Sequence, residues 1–527
     1  MRRRMRAALW LPALSIAGVA TVVAQSVDKS VTPNNANAGI NKSLADEIGA
    51  GRGDTLTPGS SAFIIARDPA RAIRRGRQIF QRKFRRSQGQ GPLSGDGQGD
   101  LHTNLAIGAG LADSCAACHG RPRGSAGAGG DVATRPDSRD APHLFGLGLK
   151  EMLADEITFE LRRIRDGALQ EARATGRNSR KLLFVRQGVT YGFITARPNG
   201  SLDTSEVQGV NVDLRVRPFF LHGGTISIRE FLVGAFNAEM GLQSVDPDLD
   251  RAAHNGRVVT PAGMVLDGLA DKIEAPPTAS PSADPDQDGV TDEIPTSIVD
   301  FMEFYLLNYF KPALGEQNTQ TQAGRALLDQ VGCTSCHMAQ MVIERDRRVA
   351  DVQTAFDPVR GTFNRLFATA TTLFQPVPDN TGFPPVKRPL RGSFVVDNFF
   401  SDLKRHDLGQ GFHEINYDAT LQNEFLTTPL WGVGSTGPYG HDGRSVSLTE
   451  VILRHGGEAQ AARDNFAALS ATAKGQLLAF LNSLVLFPPD DTASNLDPGD
   501  RTNPGFPQFG HGSIKLTVLF NDPGDVE

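Results

Sequence analysis

Apolar residues recur at helical spacing in several stretches, separated by long polar and glycine-rich connections. After Asp68-Pro69, where Asp can cap and Pro suits the first turn, Ile73, Gly76, Ile79 and Phe80 follow a helical period. A second helix is expected from Ala141-Pro142-His143, with Leu144, Leu147, Leu149 and Met152 on its apolar side. Residues 182–212 alternate and contain the turn signal Pro198-Asn199-Gly200, which predicts strands or a hairpin. Helical periodicity returns after Ser227, a candidate cap, and again over Ile298–Phe310 and Thr321–Gln330. It closes over Ala471–Phe487, where Leu477, Leu478, Phe480, Leu481 and Leu484 suit packing on a core. Residues 217–241 have an echo in 439–456. Setting Gly223 against Gly443 aligns Ser227 with Ser447, Ile228 with Leu448 and Glu230 with Glu450, the mark of a duplicated unit.

The chain of 527 residues has a formal net charge of −5. It is long enough for about three domains, and its charge gives no reason to expect nucleic acid as a partner. Basic residues cluster from Arg71 to Arg86, which reads as a solvated helix face or a dock for an acidic electron-transfer partner. Arg2, Arg3, Arg4 and Arg6 precede an apolar stretch from Ala7 to Ala24, with Val22-Val23-Ala24 fitting a cleavage site before Gln25. An uncleaved anchor is the alternative; Pro12 and the small residues Ser15, Gly18 and Thr21 favour a signal peptide over residues 1–24. No other long apolar run exists, so a periplasmic protein without a membrane span after cleavage is expected. Residues 25–67 read as an extended lead-in and 488–527 as a polar tail.

All four cysteines fall in two motifs, Cys115-Ala116-Ala117-Cys118-His119 and Cys333-Thr334-Ser335-Cys336-His337. A four-cysteine zinc site usually keeps its pairs within a few tens of residues, and a redox dithiol has no need of the following His twice. A disulfide within so short a loop would be strained. Cys-x-x-Cys-His is the attachment signature of c-type haem, so two covalently bound haem c groups are expected, with His119 and His337 as proximal ligands. Between the motifs, Asp284, Asp286 and Asp288 precede Gly289, with Asp292 after it. Alternate carboxylates before a glycine suit Ca2+, although the twelfth position of an EF-hand loop is Pro295 here; a solvated acidic linker is the alternative.

With these residues assembled, the chain resembles the di-haem cytochrome c peroxidase superfamily, most closely its di-haem oxidoreductase branch. The resemblance covers most of residues 70–487. It rests jointly on ThrProLeuTrpGlyValGly (428–434), TyrGlyHisAspGlyArg (439–444), HisGlyGlyGluAla (455–459), SerAspLeuLysArgHisAspLeuGly (401–409) and the acidic stretch 284–293. It implies a mainly α fold of two cytochrome c-like haem domains in tandem, with long loops and a few short strands. The domains would span 68–275 and 298–487, joined by an acidic linker at 276–297.

The family's Asn-Pro-x-Glu-Met-Gly motif matches Asn237-Ala238-Glu239-Met240-Gly241, which implies a catalytic role for Glu239. The chemistry is consistent, because heterolysis of a peroxide needs a group that takes a proton from one oxygen and returns it to the other. Where the peroxidases carry a Met as sixth ligand of the second haem, this chain has His455. His441, His406, His222 and Arg444 are further candidates for the haem pockets. The loop 120–140, which supplies a distal His in the peroxidases, contains none, and His143 lies just beyond it, so an open first haem is expected. The family's inter-haem Trp is replaced by the stretch Leu221-His222-Gly223-Gly224, leaving Trp431, Phe219 or Phe220 to intervene. The function implied is peroxide reduction, with electrons supplied by a small cytochrome or cupredoxin. The alternatives are an oxygenase or protein-modifying oxidase using dioxygen, and a pure electron carrier.

Overall fold

The computed structural model describes residues 43–91, 112–121, 125–129, 131–132, 139–309, 312–346, 348, 374–389, 392–415 and 420–486. The secretory pattern and the polar tail lie outside them. The described residues form twelve α-helices: α1 (Leu44–Ile48), α2 (Ser61–Arg67), α3 (Pro69–Gln81), α4 (Cys115–His119), α5 (Leu147–Thr175), α6 (Ile228–Met240), α7 (Pro247–Ala253), α8 (Thr296–Leu307), α9 (Thr319–Gln330), α10 (Leu448–Arg454), α11 (Gln460–Ala468) and α12 (Ala471–Ser483). Among the described residues, no helix is long and apolar enough to cross a membrane.

Two helix pairs organise the fold: α3 packs on α8, and α9 packs on α12. Each pair crosses at a glycine. A Cβ on Gly76 would lie 2.3 Å from Tyr305 Cβ and 2.4 Å from the Phe301 carbonyl oxygen. A Cβ on Gly324 would lie 2.0 Å from the Gln476 carbonyl oxygen and 2.8 Å from Phe480 Cβ. Each Cys-x-x-Cys-His motif follows the first helix of its pair. Helix α8, grouped by its sequence position with the second motif, therefore packs with the first.

The core gathers around both helix pairs, the larger cluster also taking in Met341, Phe399 and Trp431 from beyond the second motif. One apolar cluster joins Ile73, Phe80, Met152, Ile157, Phe236, Phe301 and Tyr305; another joins Leu328, Val331, Phe400, Phe466, Leu477 and Phe480. The echo between the halves is also local. Ser227 and Ser447 cap α6 and α10 by accepting from the N–H groups of Glu230 and Glu450. Each glutamate in turn accepts the N–H just outside the cap, of Ile226 and Val446 respectively.

Several expectations are corrected. Residues from Ser43 onward are not an extended lead-in: α1 and α2 form, Glu47 is buried against Arg82, and Arg52 pairs with Asp248. The basic run is not a solvated face. Arg75, Arg77 and Arg82 are buried, with Arg75 Nη1 donating to the Glu47 carbonyl at 3.0 Å and its guanidinium 5.2 Å from the Phe301 ring centroid. A cation left without partners in the interior would be costly, and Glu47 supplies the counter-charge for Arg82. Helix α5 begins at Leu147 after Gly146, which takes positive φ, and runs 29 residues.

Strand content is higher than a mainly α chain implies. Among the described residues, seventeen short strands form eight small antiparallel sheets, so the fold is mixed. The expected hairpin is there, as strands 179–184 and 190–196 with a third at 202–203. Pairing of 340–343 with 394–397 matters most for the site, because it returns the chain to the second motif at Phe399-Phe400.

Candidate functional site

The first motif forms the single turn α4, where the Ala117 N–H donates to the Ser114 carbonyl at 3.1 Å. The following chain wraps tightly over it: a Cβ on Gly129 would lie 1.6 Å from the Cys118 carbonyl oxygen. His119 Nδ1 lies 2.7 Å from the Pro142 carbonyl oxygen. Burial pushes the Cys115 thiol up to about 12 and that of Cys118 to about 11. For Cys118 the next cause is the negative charge of Glu239. Helix α6 brings Glu239 there and is tied down locally, since its backbone carbonyl accepts the Ala112 N–H at 3.0 Å. Gly241 ends the helix at φ +67, a conformation favouring glycine. Tyr305 and Tyr309 of the α8 segment are buried with ring centroids 5.2 Å apart.

At the second motif His337 N–H closes a turn on the Cys333 carbonyl at 2.9 Å, and His337 Nδ1 lies 2.9 Å from the Phe400 carbonyl oxygen. Burial pushes His337 down to about 4; the Phe400 carbonyl opposes this, and His455 and His406 add to it. His455 follows α10, with Nδ1 2.7 Å from the Val451 carbonyl oxygen and its ring edge-on to Phe412 at 5.2 Å. An imidazole that donates Nδ1–H to a carbonyl keeps its lone pair on Nε2, the form that binds a metal. His119, His337 and His455 share this arrangement.

The other histidines are engaged differently. His143 uses both ring nitrogens: Nε2 lies 2.9 Å from the Trp431 carbonyl oxygen, and Nδ1 accepts the Phe145 N–H at 3.2 Å. His406 is held between Asp402 and Glu458, each at 2.8 Å. His441 pairs with Glu414 at 3.0 Å and stacks on Phe425. Two pocket candidates lie at the surface. His222 is exposed beside Phe220, and the Arg444 side chain is 71% exposed at the rim of Asp442. The arginine that binds Asp442 in a buried pair is Arg454, at 2.8 Å.

Trp431 is buried, edge-on to Phe399 at 4.9 Å, with its ring against Gly146. Phe219 is buried against Phe231, whereas Phe220 is largely exposed. In the acidic loop the carboxylates of Asp284, Asp286 and Asp288 converge, each offering an oxygen within 4.8 Å of the others, while Asp292 is not in that group.

Pro142, Phe400, Asp402 and Glu458 are partners to which the sequence reading gives no role, although Asp402 and Glu458 lie in the quoted stretches 401–409 and 455–459. Two of them act through backbone carbonyls, which carry no side-chain signal. Among the described residues no metal-binding group draws on cysteines of both motifs, and all four thiols are unpaired, so a four-cysteine zinc site and a disulfide lose their geometry; Cys336 does lie within 4.8 Å of Asp402 and His406 in a group able to hold an ion. Two Cys-x-x-Cys-His turns, each with its His ring fixed by a carbonyl from a distant segment, fit haem.

Residues 375–484 match the family described as "Di-haem oxidoreductase, putative peroxidase". No curated protein matches the chain. Among solved structures, hydrazine synthase of Kuenenia stuttgartiensis aligns at 14% identity over 37% of this chain and 57% of its own, with a TM-score of 0.22. A MauG-like protein associated with microbial copper homeostasis aligns at 14% identity over 55% of this chain and 78% of its own, with a TM-score of 0.23. Likeness at that level says nothing of activity.

Proposed function

We propose that the protein is a periplasmic di-haem c-type peroxidase, receiving electrons at the C-terminal haem and reducing peroxide at the N-terminal one. Cys115 and Cys118 would hold the first haem and Cys333 and Cys336 the second, each by thioethers. His119 and His337 would be proximal ligands, with His455 the sixth ligand at the second iron. The haems supply iron for electron storage and for binding peroxide. The packing of α3 on α8 and of α9 on α12 supports a reading as two tandem haem units, which would then divide between α8 and α9 and not at 276–297. Asp284, Asp286 and Asp288 would bind Ca2+.

The observation that carries the reading is the backbone bond from Ala112, three residues before Cys115, to the Glu239 carbonyl at 3.0 Å, with the Glu239 charge felt at Cys118 and His119 anchored to Pro142. A carboxylate at that point can accept a proton from one peroxide oxygen and deliver it to the departing one. The overall balance is H2O2 + 2 e− + 2 H+ → 2 H2O, the O–O bond breaking and a small cytochrome or cupredoxin supplying the electrons. Glu239→Gln keeps the size of the side chain and removes its basicity. Its expected result is intact haem content with peroxide turnover down by about 10²–10⁴, the usual scale of general acid–base catalysis. Turnover within a factor of two of the parent would overturn the assignment.

A further inference from the structure

Within its own helix the His455 ring is held at one point, Nδ1 lying 2.7 Å from the Val451 carbonyl oxygen. Helix α10 has seven residues, of which only Leu448 is buried. Its exact placement therefore has to come from elsewhere, and the turn immediately after it is bound to the segment 402–409. Gly456 N–H donates to the Leu408 carbonyl at 2.8 Å, and Glu458 Oε1 accepts the Asp407 N–H at 3.1 Å. Glu458 Oε2 meets His406 Nδ1 at 2.8 Å. The two backbones lie flush at Gly457, where φ is +48 and a Cβ would lie 2.2 Å from the Asp407 carbonyl oxygen. On its far side His406 Nε2 meets Asp402 Oδ2 at 2.8 Å, and Asp402 is itself braced by the Lys404 N–H at 2.9 Å. Tyr191 adds a hydroxyl donated to the Asp402 carbonyl at 3.1 Å. Two residues before Asp402, the Phe400 carbonyl holds the His337 ring.

One short segment thus grips both histidines: Phe400 directly, and the His455 turn through a chain of side chains. We propose that Asp402, His406 and Glu458 form a positioning latch that sets His455 opposite His337, so that six-coordination of the second haem depends on a carboxylate three residues beyond its ligand. This deepens the functional reading above and rests on it in taking His455 as that ligand. Buried Asp402 and His406 are the fixed half of the latch, and half-exposed Glu458 is its removable half.

The test is ferric EPR and absorption spectroscopy of the holoprotein carrying Glu458→Ala, a half-exposed position where truncation leaves the core intact. The expected result is unchanged haem content, loss of at least half of the second haem's low-spin signal to high-spin, and its restoration by millimolar imidazole. A low-spin signal of parental intensity and g values in Glu458→Ala would overturn the latch. His455→Ala is measured alongside. If it loses the low-spin signal while Glu458→Ala keeps it, the latch fails and the ligand stands; if His455→Ala keeps the signal, the ligand reading fails and takes the latch with it.

Discussion

The Nε2 of His143 lies 2.9 Å from the carbonyl oxygen of Trp431, and through that bond the surroundings of the two motifs are joined. On one side, Pro142 precedes His143 and its carbonyl anchors His119. On the other, the Trp431 ring meets Phe399, next to the Phe400 carbonyl that anchors His337. The bond requires a neutral His143 that donates from Nε2 and accepts at Nδ1. Burial pushes its pKa down to about 3; the Trp431 carbonyl opposes that, and Lys150 and His119 reinforce it.

The sign of the pH dependence follows. An unfolded histidine titrates near about 6.5, so between there and the folded value the unfolded chain binds a proton that the folded chain does not. The stabilisation is present above about 6.5 and is lost as pH falls toward about 3. His143→Gln should flatten that part of the profile. The check is thermal denaturation of parent and variant from neutral pH downward, and parallel curves would remove the claim.

Trp431 is the large buried ring in this junction. Truncation to Ala should cost roughly 3–5 kcal/mol, because the cavity beside Phe399 and Gly146 cannot close fully. Trp431→Phe should cost less and leave the His143 bond in place, since the acceptor is a backbone carbonyl. Chemical denaturation measures both. If the ring also couples the haems, stopped-flow reduction should show slower transfer to the first haem in Trp431→Phe at unchanged haem content.

The helix crossings yield a prediction that separates the two halves. Gly76→Ala places a methyl against Tyr305 and Phe301, and Gly324→Ala places one against the Gln476 backbone and Phe480. Neither crossing can accept it without the helices moving apart, at a cost of roughly 1–3 kcal/mol or more. Each variant should disturb the absorption and circular dichroism of the haem nearest its own pair and leave the other unchanged. Equal disturbance of both haems would show that the pairs are not separate units.

What the sequence made legible was chiefly local. Asp68-Pro69, Ser227 and Ser447 act as caps because capping needs only neighbouring residues, and the echo of Glu230 with Glu450 survives as matching hydrogen bonds. The match over 375–484 agrees with the resemblance read from the motifs. What stayed hidden depends on distant partners. The buried fate of Arg75 and Arg82 is set by Glu47, some thirty residues away and in a stretch without periodicity. The affiliation of α8 with the first motif could have been suspected from Gly76 and Gly324, but only by asking which later helix offers an aromatic to each. Arg444 follows Asp-Gly in the sequence, yet Arg454 takes the buried carboxylate because helix α10 carries it across the turn.

The acidic loop gives the last prediction. Asp284, Asp286 and Asp288 bring three carboxylates together, with Asp286 only 6% exposed. Asp284 already accepts the N–H groups of Asp288 and Gly289, and Gln243 Nε2 donates to Asp286 at 3.5 Å, so the loop is shaped without help; what an added ion could do is screen the three carboxylates from one another. A hard cation with oxygen ligands would do this. Ca2+ at a hundred times its dissociation constant should then stabilise the holoprotein by about 2.7 kcal/mol, and a chelator should reverse it. Asp286→Asn should abolish the response while leaving the haem spectra unchanged. Calorimetric titration and melting curves with Ca2+, Mg2+ and chelator decide it: identical melting in all three would make the loop a solvated acidic linker.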